Sequence, residues 1–156
     1  MKTDCPMCRG AAADAELERV QVWEDALWRL TVSLASEVAG FGYLEPKRHV
    51  GFITDLDGAE AATFGAALAR CSRALKEAAG VEFVYLYVFG DGVPHLHVHL
   101  APHRAGDALN DQMIRGEIVE EKLPNGMTRF TSQQFPPLPL DELRTIADRM
   151  RSLLAD

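Results

Sequence analysis

Apolar positions along the chain switch between a period of two and a period near 3.6. Val20 and Val22 alternate with polar neighbours, and Glu24-Asp25 breaks the run. Trp28, Leu30, Val32 and Leu34 then recur at period two, which predicts two short strands joined by a polar turn. Residues 40–44 read as a third strand, stopped by Pro46. From 58 to 79 the spacing changes. Ala61, Phe64, Leu68, Cys71, Leu75 and Ala78 follow the 3,4,3,4,3 rhythm of one helical stripe. Asp57 and Glu60 are placed as a capping-box-like start, and Gly80 as the stop. Residues 81–89, rich in Val, Phe and Tyr, predict a buried strand. Gly90-Asp91-Gly92 is a tight turn, and residues 95–100 form a second strand, so the two read as an antiparallel hairpin. Residues 103–116 read as a loop, and 117–130 as a hairpin turning at Asn125-Gly126. Residues 135–139 carry three prolines and predict an extended linker. A last helix begins near Asp141 with Leu143, Ile146, Met150 and Leu153 as its stripe. The order predicts an α+β fold: an antiparallel sheet of about five strands, one long helix packed on it and a C-terminal helix.

Composition narrows the function classes. At 156 residues the chain is one domain, and 47% hydrophobic with 25% charged residues excludes disorder, collagen and coiled coil. No run of eighteen apolar residues occurs, so no membrane span is expected, and residues 1–6 lack the apolar region of a secretory signal. The net charge of −7 argues against nucleic-acid and anionic-membrane partners, both of which need a basic footprint. It leaves room for a small phosphorylated substrate held by a few local donors. Three cysteines without a signal point to a reducing, cytoplasmic setting. Cys5-Pro6-Met7-Cys8 is a C-x-x-C pair with three readings: a redox motif, a zinc knuckle, or two thiols in a loose tail. Cys71 falls on the helical stripe and reads as core.

Five histidines occur, and three stand in His95-Leu96-His97-Val98-His99-Leu100. On a strand, His95, His97 and His99 share one face while Leu96, Val98 and Leu100 enter the core. Three imidazoles about 6–7 Å apart on one face are costly without partners, and a merely polar face would use Thr, Lys or Glu. Two chemical readings remain. In one, two or three of the histidines bind a catalytic metal. In the other, one imidazole is a nucleophile and its neighbours handle phosphate. The metal reading wants an acidic ligand nearby, and Leu100-Ala101-Pro102-His103-Arg104 supplies none.

The stretch His95–Ala101 resembles the H-φ-H-φ-H-φ-φ signature of the histidine triad (HIT) family of nucleotide hydrolases and transferases. Pro46-Lys47-Arg48-His49-Val50 is similar to the P-K-x-H-φ segment that precedes the long helix in that family, and an N-terminal C-x-x-C is typical of its zinc-binding bacterial branch. The resemblance implies a structural zinc, one per chain, on Cys5, Cys8, His49 and His95, in the closed Cys₂His₂ form. It implies His97 as nucleophile on the α-phosphorus of a nucleotide, His99 as donor to a phosphate oxygen, and no catalytic metal. Asp91 and Gly92, in the loop before the triad, fall where the family contacts phosphate. Phe41 stands where many members have histidine, Asp91 where glutamine would fall, and Arg104 one place late. Three activities follow as expectations: a nucleotide hydrolase cleaving a phosphoanhydride or phosphoramidate, a nucleotidyltransferase, or a nucleotide-binding protein with little turnover. The presence of His99 favours the hydrolase, because the transferase branch has glutamine there. The resemblance also implies a homodimer. Within the single domain, residues 1–10 would be the zinc knuckle and 103–139 a divergent segment before the last helix.

Overall fold

The computed structural model describes residues 5–90, 92–106, 117–133 and 135–155. Five strands form one antiparallel sheet: β1 (Arg19–Glu24), β2 (Trp28–Ser33), β3 (Gly42–Pro46), β4 (Phe83–Tyr87) and β5 (Val98–His103), in the order β1-β2-β3-β5-β4. Helix α1 (Gly58–Ala79) joins β3 to β4, and α2 (Leu140–Leu154) closes the described chain. A separate two-stranded hairpin is made by β6 (Glu117–Lys122) and β7 (Thr128–Gln133). The α+β class, the antiparallel sheet and the two helices are those expected from the pattern. Among the described residues, no helix is long and apolar enough to cross a membrane.

The register explains which face is core. Leu30 opposes Leu44, and Val98 and Leu100 follow on β5. These side chains, with Trp28 and Val32, pack on Cys71, Leu75 and Ala78 of α1 and on Ala147, Met150 and Leu154 of α2. The Trp28 indole N–H donates to Thr63 Oγ1 at 2.9 Å, and its ring lies 5.5 Å from Phe64. That satisfies the polar end of a fully buried Trp. Burial pushes the Cys71 thiol up to about 12, so it stays a neutral core group. Gly80 ends α1 in the left-handed conformation at φ 61°, which a Cβ would strain.

Several boundaries differ from the sequence expectation, each for a tertiary reason. The strand expected at 95–100 is Val98–His103, because His95 and His97 are drawn away by other partners. Pro46 is the last residue of β3 rather than a stop outside it; its missing N–H falls at the end of the ladder, opposite Trp28. The strand at 81–89 is shorter and is not buried. As β4 it is an edge strand with Phe83 and Leu86 exposed. On α1 the stripe sinks into the core only from Ala67 onward, and Ala61 is exposed. On α2 Leu154 is buried and Leu153 exposed, because the helix turns Leu143, Ala147, Met150 and Leu154 to the sheet. Asp57 makes no cap hydrogen bond; it and Glu60 both pair with Arg48, Glu60 at 3.0 Å.

The sheet face opposite the helices, which carries Arg29 and Glu45, is covered as well. Residues 5–18 fold back over it through a short helical turn at Met7–Ala13. Beneath lies a buried charge network. Arg19 Nη1 and Nη2 donate to Glu45 Oε2 and Oε1 at 2.9 and 3.1 Å, and Arg19 Nε to Asp14 at 3.0 Å. Arg29 donates to Glu45 Oε1 at 3.3 Å and also pairs with Asp14. Arg29 and Glu45 are direct cross-strand partners. Fork-to-carboxylate pairing of this kind is strong only while every partner is present. Glu45→Ala leaves two buried guanidinium groups against one carboxylate. It is expected to cost about 3–5 kcal/mol, read as a lower urea midpoint at unchanged slope; a loss below ~1 kcal/mol would show the network to be as weak as a surface pair.

Candidate active site and metal centre

Two histidine environments lie side by side, and they differ in which ring nitrogen is bare. The Leu96 N–H donates to the Val50 carbonyl at 2.7 Å, which ties the segment after His49 to the triad. Leu96, Val98 and Leu100 are buried, and His97 and His99 are half-buried on the opposite side, as the alternation requires.

His95 is only 1% exposed, and its Nε2 lies 2.9 Å from the Pro46 carbonyl oxygen. A carbonyl can only accept, so Nε2 carries the proton and donates it, and Nδ1 is bare. That Nδ1 lies 3.5 Å from Cys5 Sγ and 3.5 Å from Cys8 Sγ, while His49 Nδ1 lies 3.3 Å from Cys8 Sγ. The four ligand atoms all lie within 4.8 Å of one another. Tetrahedral bonds of about 2.3 Å to sulfur and 2.0–2.1 Å to nitrogen separate the two donors by roughly 3.5 Å. The donor set therefore fits a closed four-coordinate ion, and the Pro46 carbonyl is the outer partner that orients one ligand. Burial holds the His95 pKa below the ordinary histidine value, which favours the neutral ligand form. The sulfur–nitrogen contacts bring together the four residues expected from the sequence.

His97 has the reverse arrangement. Its Nδ1 lies 2.6 Å from the backbone carbonyl oxygen of His95, so Nδ1 carries the proton and Nε2 is the bare nitrogen. His99 sits in register between Tyr43 on β3 and Tyr87 on β4. Its ring is 4.9 Å from that of His97, 5.3 Å from Tyr43, 5.4 Å from Phe89 and 5.9 Å from Phe41. The Tyr87 hydroxyl is buried with no hydrogen-bond partner among the described residues, and burial raises its pKa, so it stays a neutral hydroxyl. Gly92 is exposed in the turn before His95, and Asp91 lies outside the described residues. The aromatic ring around His99 was missed from the sequence. Tyr43 and Tyr87 stand at period-two positions on predicted strands, but only the register makes them neighbours of His99. The orienting carbonyls of Pro46 and His95 leave no side-chain signal at all.

A bacterial crystal structure shares this architecture. The Zn-bound histidine triad family protein from Mycobacterium smegmatis superposes with a TM-score of 0.64 over 96% of this chain and 95% of its own, at 21% identity. The chain has the histidine triad fold. A hypothetical histidine triad nucleotide-binding protein from Sulfolobus tokodaii superposes at TM-score 0.66, with 96% of this chain and 91% of that one covered at 19% identity. In sequence, 107 residues are 29% identical to the nitrilase and fragile histidine triad fusion protein NitFhit of Caenorhabditis elegans. They cover 65% of this chain, and the match spans about a quarter of the relative's length, 24%. No protein-family model matches the chain. Within the histidine triad fold, the four-residue cluster joins the N-terminal arm to the segments just after β3 and just before β5, beside His97. Protein purified without chelator is expected to carry about one divalent ion per chain, and Cys5→Ser to carry less than a fifth of that with a melting temperature lower by about 5 °C or more. Elemental analysis and a thermal scan decide it; equal ion content in the variant would remove Cys5 from the centre.

Proposed function

We propose that the chain is a nucleotide hydrolase that cleaves a phosphoanhydride or phosphoramidate bond through a covalent intermediate on His97. The observation that carries this is the 2.6 Å hydrogen bond from His97 Nδ1 to the His95 carbonyl. It leaves Nε2 with its lone pair outward, and an imidazole at neutral pH is a competent nucleophile in that tautomer. The Nε2 pair forms a bond to the α-phosphorus, and the bond from phosphorus to the leaving group breaks. The leaving group departs with the bonding pair and takes up a proton. Water then attacks phosphorus and gives up a proton to solvent, which balances the one the leaving group took up; the nitrogen–phosphorus bond breaks, and its pair returns to His97. His99, 4.9 Å away ring to ring, donates to the phosphate oxygens as charge develops. Gly92, with no side chain, lets the backbone approach the phosphate.

Zinc is the ion that two thiolates and two imidazoles suit best, and the Zn-bound Mycobacterium smegmatis neighbour supports that choice. Bound there, it is structural: it supplies no open position and clips the arm to the sheet. A thiolate centre of this kind fits the reducing cytoplasm, and none of the three cysteines forms a disulfide. The same chemistry with a different acceptor than water would make a nucleotidyltransferase, and retention of His99 favours water. His97→Ala is expected to lower turnover of a nucleoside phosphoramidate by a factor of at least 10³, and wild type quenched in acid-free denaturant to carry label on His97. Activity within tenfold of wild type in the variant would remove His97 as the nucleophile.

We also propose a homodimer. Strand β4 is an open sheet edge carrying exposed Phe83 and Leu86, followed by exposed Val88. Such an edge is a pairing hazard unless a second strand covers it. Pairing along the edge leaves the histidine face open. Light scattering at micromolar concentration is expected to give about twice the 17.2 kDa chain mass, and Leu86→Glu to shift the protein toward monomer. A monomeric wild type would refute the pairing.

A further inference from the structure

The histidines are ringed by aromatics, and among the described residues the cations near them are already paired. Residues 77–103, which supply β4, β5 and the triad, contain no Lys or Arg, and neither do residues 40–46. The cations on flanking elements are engaged. Lys47 pairs with Glu24 at 2.9 Å, Arg48 with Asp57 and Glu60, and Arg19 and Arg29 with Glu45 and Asp14. Among the described residues, a chain of phosphates held there would meet no unpaired guanidinium or ammonium group to compensate its desolvated charge.

An apolar lip stands in their place. Phe89 is 54% exposed, stacks on Tyr87 at 6.0 Å with planes 10° apart, and lies edge-on to His99 at 5.4 Å. Phe52 is 46% exposed and Ile53 42%. The Phe52 ring lies so close over Gly90 that a Cβ there would meet it at 3.2 Å, so the glycine lets Phe52 lie over the residue that follows Phe89. Phe89, held half in water against His99, and Phe52, over the neighbouring Gly90, form a surface that an uncharged aromatic ring would cover.

We propose that Phe52 and Phe89 are specificity-determining residues that stack an aromatic ring of the substrate, and that the site takes a single phosphate in place of a polyphosphate. This rests on the hydrolase reading above. The ring could come from the nucleobase or from the leaving group, and the test separates the two. Three single-phosphate compounds serve as probes: the adenosine 5′-phosphoramidate of tryptamine, that of methylamine, and the methylamine amidate of ribose 5-phosphate, which has no base. Diadenosine tetraphosphate is the fourth. In wild type, kcat/KM is expected to rise at least about tenfold where the ring that stacks is added, a typical worth for one stacked ring. A rise between the two methylamidates identifies the base as that ring, and a rise from methylamine to tryptamine identifies the leaving group. Phe89→Ala and Phe52→Ala are expected to shrink that advantage toward unity, and Phe89→Trp to keep it. Diadenosine tetraphosphate is expected to fall at least tenfold below the preferred amidate. If the Phe52→Ala/Phe89→Ala double variant keeps the full ring advantage with an unchanged circular dichroism spectrum, or if the tetraphosphate is the best substrate, the proposal is wrong. If wild type forms no phosphohistidine with any probe, the catalytic reading fails instead. Adenosine 5′-monophosphate against ribose 5-phosphate, and tryptamine against methylamine, titrated into wild type and the double variant, then decide the lip alone: a ring advantage in binding that the double variant loses upholds it, and none in wild type overturns it.

Discussion

Two backbone carbonyls set the chemistry of this face. The Pro46 carbonyl takes a proton from Nε2 of His95, and the His95 carbonyl takes one from Nδ1 of His97. Because a carbonyl accepts and never donates, neighbouring histidines two residues apart are held in opposite tautomers. One presents a bare Nδ1 to two sulfurs, the other a bare Nε2 to the open side. A side-chain acceptor such as a carboxylate would have done the same job for either ring, but with a charge that raises the pKa. Carbonyls fix the tautomer and add only a dipole. A metal ligand and a nucleophile, the roles proposed for these two rings, both need the neutral form.

The carbonyls can act only if Pro46 and the segment before Val98 are held still. Pro46 is the end of β3, and the residue before it, Glu45, is the hub of the buried network that joins β1, β2 and the N-terminal arm. The arm carries Cys5 and Cys8. Thus the ion network and the Cys5/Cys8/His49/His95 cluster hold the same arm at two points. Taking four charged groups out of water is costly, and apolar packing could replace them at no loss of stability. What apolar packing cannot supply is a directed fork: Arg19 fixes Glu45 through two bonds at once, and so fixes the direction in which the next carbonyl points.

Much of this was legible from residue order. The period-3.6 stripe located α1, Gly80 stopped it, and three histidines at period two, leading into an apolar strand, marked the candidate site. The hairpin turning at Asn125-Gly126 also stands where the turn chemistry put it, with Gly126 at φ 84°. The misses share a cause. Alternation says that Arg29, Thr31 and Ser33 share a face but cannot say whether water or an arm of the same chain covers it. Likewise the apolar stretch at 81–89 has the composition of an interior strand, and only the strand order makes it an edge. Asp57 and Glu60 had the spacing of a cap, yet Arg48, brought close by the turn after β3, offered a charged partner that the helix N–H groups could not match.

The charge balance then bears on how such a site would bind phosphate, as proposed above. The chain carries 23 acidic against 16 basic residues, and among the described residues Arg19, Arg29, Lys47 and Arg48 are engaged in internal pairs. A protein that recognises phosphate by long-range attraction keeps its guanidinium groups free and loses affinity steeply with salt. Here the described groups around His97 and His99 are aromatic rings and backbone. Binding there would come from short-range contacts, in which hydrogen-bond geometry and buried aromatic area outweigh net charge. Such a site discriminates by shape and by what is attached to the phosphorus more than by how much charge the ligand carries. The rings of Tyr43, Tyr87 and Phe89 around His99 are the part of the structure that can make that discrimination.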